Sequence, residues 1–444
     1  MMRRSSLQIR GRFHADSAEM KCVLASYGTR GDVEPCVAVG RELMRRGHDV
    51  RMAVPPDLVG FAESAGLTAV AYGPDTREWW GAHRDFWTRL FRNFWKIQDL
   101  IRLWREIGES VIQYWGEITT TLQSLADRAD LLVTSLNFEQ PAANVAEYYD
   151  IPLATLHIAP VRANGQLLPF LPSSLGHYAL TVYEWANWRG VKKFDDAQRR
   201  ELGLAKATRS APRRITQRGS LEIQAYEEVC FPGLAAEWAK CIGQRPFVGA
   251  LTMELTTDTD EEVASWIAAG TPPIFFGFGS TPVESPADTL AMIGAACAQL
   301  GERALVCSGW SDFSHVPNFD HVKVVDALNY AAVFPICRAV VQHGGMGTTA
   351  AGLRAGVPML ILWTAPDQAI WAAQVKRLKV GSGRRFSTAT RATLVADLRR
   401  ILDPEYVARA REVATQTTEP AESVANAADL LENFARLRHV SGVR

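Results

Sequence analysis

The chain has 444 residues, 47% hydrophobic and 22% charged, with 48 lysine and arginine residues balanced by 48 aspartates and glutamates. That length is too great for one ordinary core and predicts two domains, while a formal charge of zero offers no global basic surface to nucleic acid. No apolar run reaches the roughly 18 residues of a membrane span, so any membrane contact is expected to be peripheral. The seven cysteines lack C-x-x-C spacing and fit a reducing cytoplasm.

Residues 1–19 are polar, arginine-rich and aperiodic, without the apolar centre of a signal peptide. From Lys21 the chain alternates. CVLAS reads as a strand, YGTRGDVEP as a loop, CVAVGRELMRRG as a helix stopped at Gly47, and DVRMAV as the next strand. This is the βαβ pattern of a doubly wound parallel sheet. Ligands in such sheets gather at the carboxyl ends of strands, which puts Thr29, Arg30, Gly31 and Asp32 on a ligand-facing edge. The residues alone leave Asp32 two roles, a helix-capping carboxylate or a chemical group.

Trp79 to Trp115 interleaves large aromatics with arginines. Trp87, Leu90, Phe94, Ile97, Ile101 and Trp104 recur at three- and four-residue spacing, so one helical face is apolar. It can be a buried core face, or an acceptor-binding or membrane-surface element in which Trp95 shares. ADLLVTSLNF and IPLATLH read as further strands. His157, ending the second, can face a cleft or be a satisfied structural histidine. Pro160 to Ser174 reads as a loop, helices follow to about Gly203, and the threonine- and acid-rich FVGALTMELTTDTDEEV reads as an interdomain linker.

PPIFFGFGSTP restarts the pattern, a strand delivering Gly277, Gly279 and Ser280 to a turn. ALVCSGW and VKVVDAL are the next strands. RAVVQ then runs into HGGMGTTAAGLRAGV. Gly344, Gly345 and Gly347 allow positive φ and close approach of backbone N–H groups to an oxyanion, at the start of a helix predicted over Thr348–Ala355. The same turn could also be a tight connection with no ligand. His343 could donate to the same anion, and Asp367 and Gln368 lie one strand later. Tyr406 to Leu437 is expected to be helical. No repeat or metal-ligand cluster is visible.

HGGMGT, the downstream DQ and GTRGD together resemble the inverting glycosyltransferases of the GT-B type, from about Lys21 to the C-terminus. The resemblance includes the actinobacterial antibiotic and sterol glycosyltransferases. LRAGVPMLILWTAPDQAIWAAQVKRLKVG is similar to mycobacterial enzymes that glycosylate glycopeptidolipids. It implies an α/β fold of two Rossmann-like domains facing a cleft: residues 20–245 for the acceptor, a linker over 246–256, and 257–444 for the nucleotide sugar, with the terminal helix crossing back. In the family the first strand follows closely on the initiating methionine, so Met20 is a natural start and residues 1–19 an expected disordered extension.

The resemblance also assigns roles. Asp32 matches the carboxylate that takes the acceptor proton. Thr29, Arg30, Gly279, Ser280, His343, Gly344, Gly345, Gly347 and Thr348 match the donor side, and Asp367 with Gln368 the sugar. Trp310 and the backbone of Val325 and Ala327 match the nucleotide-base region, although Trp310 fits a core position equally well. Trp87, Phe94, Trp95 and His157 are expected on the acceptor side. It implies no metal and no cofactor beyond a dTDP- or UDP-sugar co-substrate, with a deoxyhexose such as rhamnose favoured. The expected acceptor is a lipid or glycopeptide, met in the cytoplasm or by peripheral contact at the inner face of the plasma membrane. The rival readings are a nucleotide-sugar epimerase and a non-catalytic sugar-nucleotide binder.

Overall fold

The structure, a computed structural model, describes residues 19–441 apart from 78–80, 82–85, 87–88, 90–96, 168–170, 242, 254–256, 258, 282, 284, 314–315 and 317–318. Its frame is two six-stranded sheets. The first holds β1 (Lys21–Ala25), β2 (Asp49–Val54), β3 (Thr68–Ala71), β4 (Leu131–Ser135), β5 (Leu153–His157) and β6 (Leu221–Gln224), in the order β3-β2-β1-β4-β5-β6. The second holds β7 (Ile274–Gly277), β8 (Ala304–Cys307), β9 (Val322–Val325), β10 (Ala339–Gln342), β11 (Met359–Trp363) and β12 (Gly381–Arg385), in the order β12-β11-β10-β7-β8-β9. Every neighbouring pair is parallel. Winding reverses between β1 and β4 in one sheet and between β7 and β10 in the other, and these switch points are where such sheets open a crevice.

The strands are short continuous apolar runs because both faces are covered. Cys22, Val23, Leu24 and Ala25 of β1 are all fully buried, with alternate residues joining the packing on opposite sides. Helix α1 (Arg30–Arg45) begins six residues before the expected position. Thr29 is its N-cap and Asp32 closes a capping box, so the first turn forms across GTRGD, and Pro35 is accommodated inside the helix. Three further helices flank this sheet: α2 (Val59–Ser64), α3 (Ile97–Ala126) and α4 (Glu139–Tyr149). They are followed by α5 (Ser173–Glu201) and α6 (Ala211–Gln217).

Around the second sheet lie α7 (Asp260–Ala268), α8 (Pro286–Leu300), α9 (Met346–Arg354), α10 (Pro366–Arg377), α11 (Arg391–Ile401) and α12 (Pro404–Ala414). The helix expected over Tyr406–Leu437 is two. Residues 415–419 interrupt it, and α13 (Pro420–Ser441) follows with proline at its first position, where a missing N–H costs nothing. Helix α13 returns to the first sheet. Ala427, Ala428, Leu431 and Ala435 pack with Cys22, Leu24 and α1, and the Arg46 guanidinium meets Asp429 at 2.5 Å.

Both crossings between the sheets meet at Arg354. Its guanidinium donates to the Ala250 carbonyl at 2.6 Å, to Thr252 Oγ1 at 2.8 Å and to the Thr418 carbonyl at 2.7 Å. It also pairs with buried Glu227 at 3.2 Å. After β6 the chain already leans on the second sheet, where Tyr226, Cys230 and Phe231 are buried with Trp371.

Candidate active site

The carboxyl ends of β1 and β10 carry the two motifs. Past β1, Gly28 takes φ +134, and a Cβ there would overlap the Asp32 carboxylate. Asp32 Oδ2 accepts the Thr29 backbone N–H at 2.7 Å and the Thr29 hydroxyl at 3.0 Å, which leaves Oδ1 without a donor among the described residues. Burial pushes the Asp32 pKa up to about 6; the Thr29 bonds oppose this, and Asp367 from the other sheet adds to it. A capping carboxylate is thus held as an acid–base group would need. Ser26 fastens the loop from below, donating to the Asp32 carbonyl at 3.0 Å and meeting Ser135 Oγ at the same distance.

At β10 the predicted helix starts two residues early, with Gly345 as its N-cap and Met346, Gly347 and Thr348 in its first turn. Gly344 takes φ +103 against α10, where a Cβ would meet the Gln368 Cα and carbonyl at 3.0 and 2.9 Å. Gly344→Ala should lower both the melting temperature and donor affinity, since left-handed strain costs about 1–3 kcal/mol before the clash is counted; calorimetry with a nucleoside diphosphate and a thermal melt check this.

The His343 ring lies between two glycines. A Cβ on Gly279 would meet its Cε1 at 2.7 Å, and one on Gly345 its Nε2 at 2.7 Å. Nδ1 is buried with no partner of hydrogen-bonding geometry, and burial lowers the His343 pKa to about 4 against a smaller opposing pull from Gly277. The ring is therefore neutral near pH 7. Among the described residues the hydroxyls of Ser280 and Thr348 also have no partner, so their donors stay open beside the helix start.

Two glutamines shape this side. Gln342 accepts the Gly344 N–H at 2.5 Å and donates to Thr349 Oγ1 at 2.9 Å, a brace the sequence reading missed; a polar residue ending an apolar strand is its only signal. Gln368, expected at the sugar, braces the turn before α10. Its Oε1 accepts Thr364 N–H at 2.8 Å and Ala365 N–H at 3.2 Å, and its Nε2 donates to Thr281 Oγ1 at 3.2 Å. Its neighbour Asp367 is exposed but ringed by protein, and that enclosure raises its pKa.

The halves face one another. Glu34 accepts the Met253 N–H at 2.9 Å, and Arg30, packed over the Phe61 ring at 4.8 Å, is close enough to Cys307 and Tyr330 to influence both. The Arg77 guanidinium stands 5.5 Å from the centre of the half-buried Trp310 ring, another contact with no sequence signal. The carbonyls of Val325 and Ala327 accept from Ser308 N–H at 2.8 Å and Thr259 Oγ1 at 2.9 Å. His157 is fully buried, bonded to Glu139 at 2.6 Å and 3.4 Å from Gln224 Nε2, so the ring expected on the acceptor side is enclosed in a polar network with Arg162. Trp87, Phe94 and Trp95 lie outside the described residues. Among the described residues no group of three His, Cys, Asp or Glu is arranged to hold a metal ion.

Residues 22–121 match the glycosyltransferase family 28 N-terminal domain, and residues 294–430 the erythromycin biosynthesis protein CIII-like C-terminal domain. An uncharacterised glycosyltransferase of Mycobacterium tuberculosis is 60% identical over 94% of this chain and 99% of its own. The chain belongs to the GT-B glycosyltransferases. A sterol 3-beta-glucosyltransferase of Arabidopsis thaliana is 26% identical over 92% of this glycosyltransferase and 67% of its own length. Glycosyltransferase VinC in complex with dTDP shares the fold, with a TM-score of 0.60 at 18% identity, covering 93% of this chain and 100% of that one.

In this glycosyltransferase Asp367→Asn should move the acidic limb of the rate–pH profile to lower pH. Burial is the main cause of the raised Asp32 pKa and the Asp367 charge adds to it, so neutralising Asp367 lets Asp32 ionise somewhat earlier. An unmoved limb would uncouple the two carboxylates.

Proposed function

We propose that the enzyme is an inverting, metal-independent transferase. It moves a hexose or 6-deoxyhexose, such as rhamnose, from a dTDP- or UDP-sugar to a hydroxyl of a lipid, glycopeptidolipid or other hydrophobic acceptor. The observation that carries the reading is Asp32, with Oδ1 open and a pKa raised to about 6, facing a second half whose glycine turn and free hydroxyls suit a diphosphate. In one displacement the acceptor oxygen bonds to the anomeric carbon as the bond from that carbon to the diphosphate oxygen breaks. The acceptor proton passes to Asp32, and the leaving diphosphate keeps the electron pair.

On the donor side Gly345, the amides of Met346 and Gly347, and His343 are the fixed dipoles that meet the growing charge. Gln342 and Gln368 hold that turn in place, and Thr29 fixes Asp32. The dTDP bound by VinC supports the donor class, and the sterol named for the plant relative supports a hydrophobic acceptor. Incubation with a panel of dTDP- and UDP-sugars and a cell-envelope lipid extract, with product masses and anomeric configuration read out, tests it. Retained configuration would reject the single displacement. An epimerised donor without transfer would favour the epimerase, and binding without turnover the non-catalytic partner.

A further inference from the structure

The first half of α5 lacks the packing of its second half. Side chains three and four apart share a helical face, and one face carries His177, Thr181, Glu184, Trp188 and Asp195. Trp188 and Asp195 are buried, whereas the earlier three border a cavity of about 360 Å³ that Arg162, Arg213 and Arg245 also line. The adjacent face carries Leu175, Tyr178, Val182 and Trp185, which are 55%, 68%, 43% and 55% exposed. Every other large apolar side chain that is exposed among the described residues stands alone on its element, apart from Tyr183 beside this row. Arg189 and Lys193 continue the same face. Both are exposed, and the Arg189 guanidinium lies 5.9 Å from the Trp185 ring centre. The row carries cations and no acid.

The cavity also offers guanidinium donors. Arg162 is neutralised by Glu139 and Glu222. Arg245, 9% exposed, makes only long bonds, 3.2 Å to Thr216 Oγ1 and 3.4 Å to Glu222, and its Nε is buried with no partner. Arg213 is exposed and makes no hydrogen bond or close ion pair among the described residues, acting on Glu184 only at longer range. The carboxylate lining the cavity is Glu184, already accepting the Ala163 N–H at 2.8 Å. Arg213 and the Arg245 Nε keep open donors, while the rest of the Arg245 group is held only loosely by Glu222, and open guanidinium donors suit a phosphate.

We propose that this segment docks the enzyme on a membrane surface that carries anionic phospholipid. The α5 row enters the interface, and a headgroup phosphate is drawn to Arg213 and Arg245. Tyrosine and tryptophan beside cations are the side chains that suit the boundary between acyl chains and headgroups. No helix among the described residues is long and apolar enough to cross the bilayer, so the contact is one of surface. The inference rests on the lipid-acceptor reading and places that acceptor's source beside the acceptor half.

Sedimentation with vesicles, without donor, tests docking apart from chemistry. The full chain should bind phosphatidylcholine vesicles containing phosphatidylglycerol and leave pure phosphatidylcholine vesicles in solution, with binding weakened by salt. Tyr178→Ser with Trp185→Ser should reduce binding about tenfold or more, and Arg213→Ala about fivefold, with melting temperatures unchanged because these side chains are exposed. Binding equal on both vesicle types, none on either, or variants that bind like wild type would overturn the proposal. Protection by inorganic phosphate without vesicle binding would make the cavity a small-anion site and also overturn it. So would a dimer in light scattering that the Tyr178 and Trp185 changes split, since the row would then belong to a second copy. Failed docking with intact transfer to a detergent-dissolved lipid leaves the lipid-acceptor reading standing; docking without lipid transfer removes that reading alone.

Discussion

Asp32→Asn is expected to lower the transfer rate by roughly 100- to 10,000-fold, the usual contribution of a positioned base, with donor affinity close to wild type. The geometry separates the two roles this residue holds. Capping uses Oδ2, which takes both Thr29 bonds at 2.7 and 3.0 Å. An asparagine carbonyl can accept the same two bonds, so α1 should still start at Arg30. Proton transfer needs the other oxygen, and there the variant presents an amide that donates and cannot take a proton. Stability supplies the control. The folded pKa of about 6 stands above its ordinary 3.8, so the stability Asp32 contributes is complete below about pH 3.8 and is lost as pH rises through about 6. At pH 7 the buried charge is a cost that asparagine removes, and the melting temperature should be no lower than wild type. Single-turnover transfer measured beside a thermal melt decides the matter: near wild-type transfer would end the base assignment.

The same dual role explains where the sequence was legible. Alternation and glycine placement are local properties, and they located the strands that flank both motifs, whereas the short β3, β6 and β12 carried too little pattern to be read. The start of α1 was hidden because Gly31 and Pro35 read as loop residues, while the Thr29–Asp32 capping box that overrides them is a pairing of two side chains. The gap at residues 415–419 was hidden likewise. Arg354 holds Thr418 and Ala250 together, and a contact between residues so distant in sequence leaves no periodic trace.

The site followed the same division. Backbone-dictated positions such as Gly28, Gly279 and Gly344 could be read as turns, because only a glycine accommodates their close approaches. Side chains whose partners come from elsewhere could not be read. Gln368 lies in a motif that the resemblance associates with the sugar, and its amide also joins Thr364, Ala365 and Thr281, a bracing that the motif does not announce. His157 ends a strand facing the crevice, but Glu139 and Arg162 close over it. Arg77 reaches Trp310 from a segment with no motif of its own.

His343→Ala is expected to weaken nucleoside diphosphate binding by about 1.5–3 kcal/mol, the range for a hydrogen bond to a charged group, or roughly 10- to 150-fold in Kd. The slowing of transfer should be at least as large, because the charge this ring would meet grows as the sugar leaves. The ring sits between Gly279 and Gly345 with a buried Nδ1 that lacks a partner of good geometry, as expected of a group awaiting a ligand. Its pKa of about 4 lies below the ordinary 6.5, so histidine favours the fold fully above about pH 6.5 and loses that contribution as pH falls toward 4. Bound diphosphate should pull the other way and raise the pKa, since an anion favours imidazolium. Donor affinity of the wild type should therefore increase as pH drops from 7 toward 5, and this increase should vanish in His343→Ala. Titration calorimetry at several pH values measures both effects. Affinity that depends on pH identically in the two proteins would detach His343 from the diphosphate, even if the alanine variant transfers slowly.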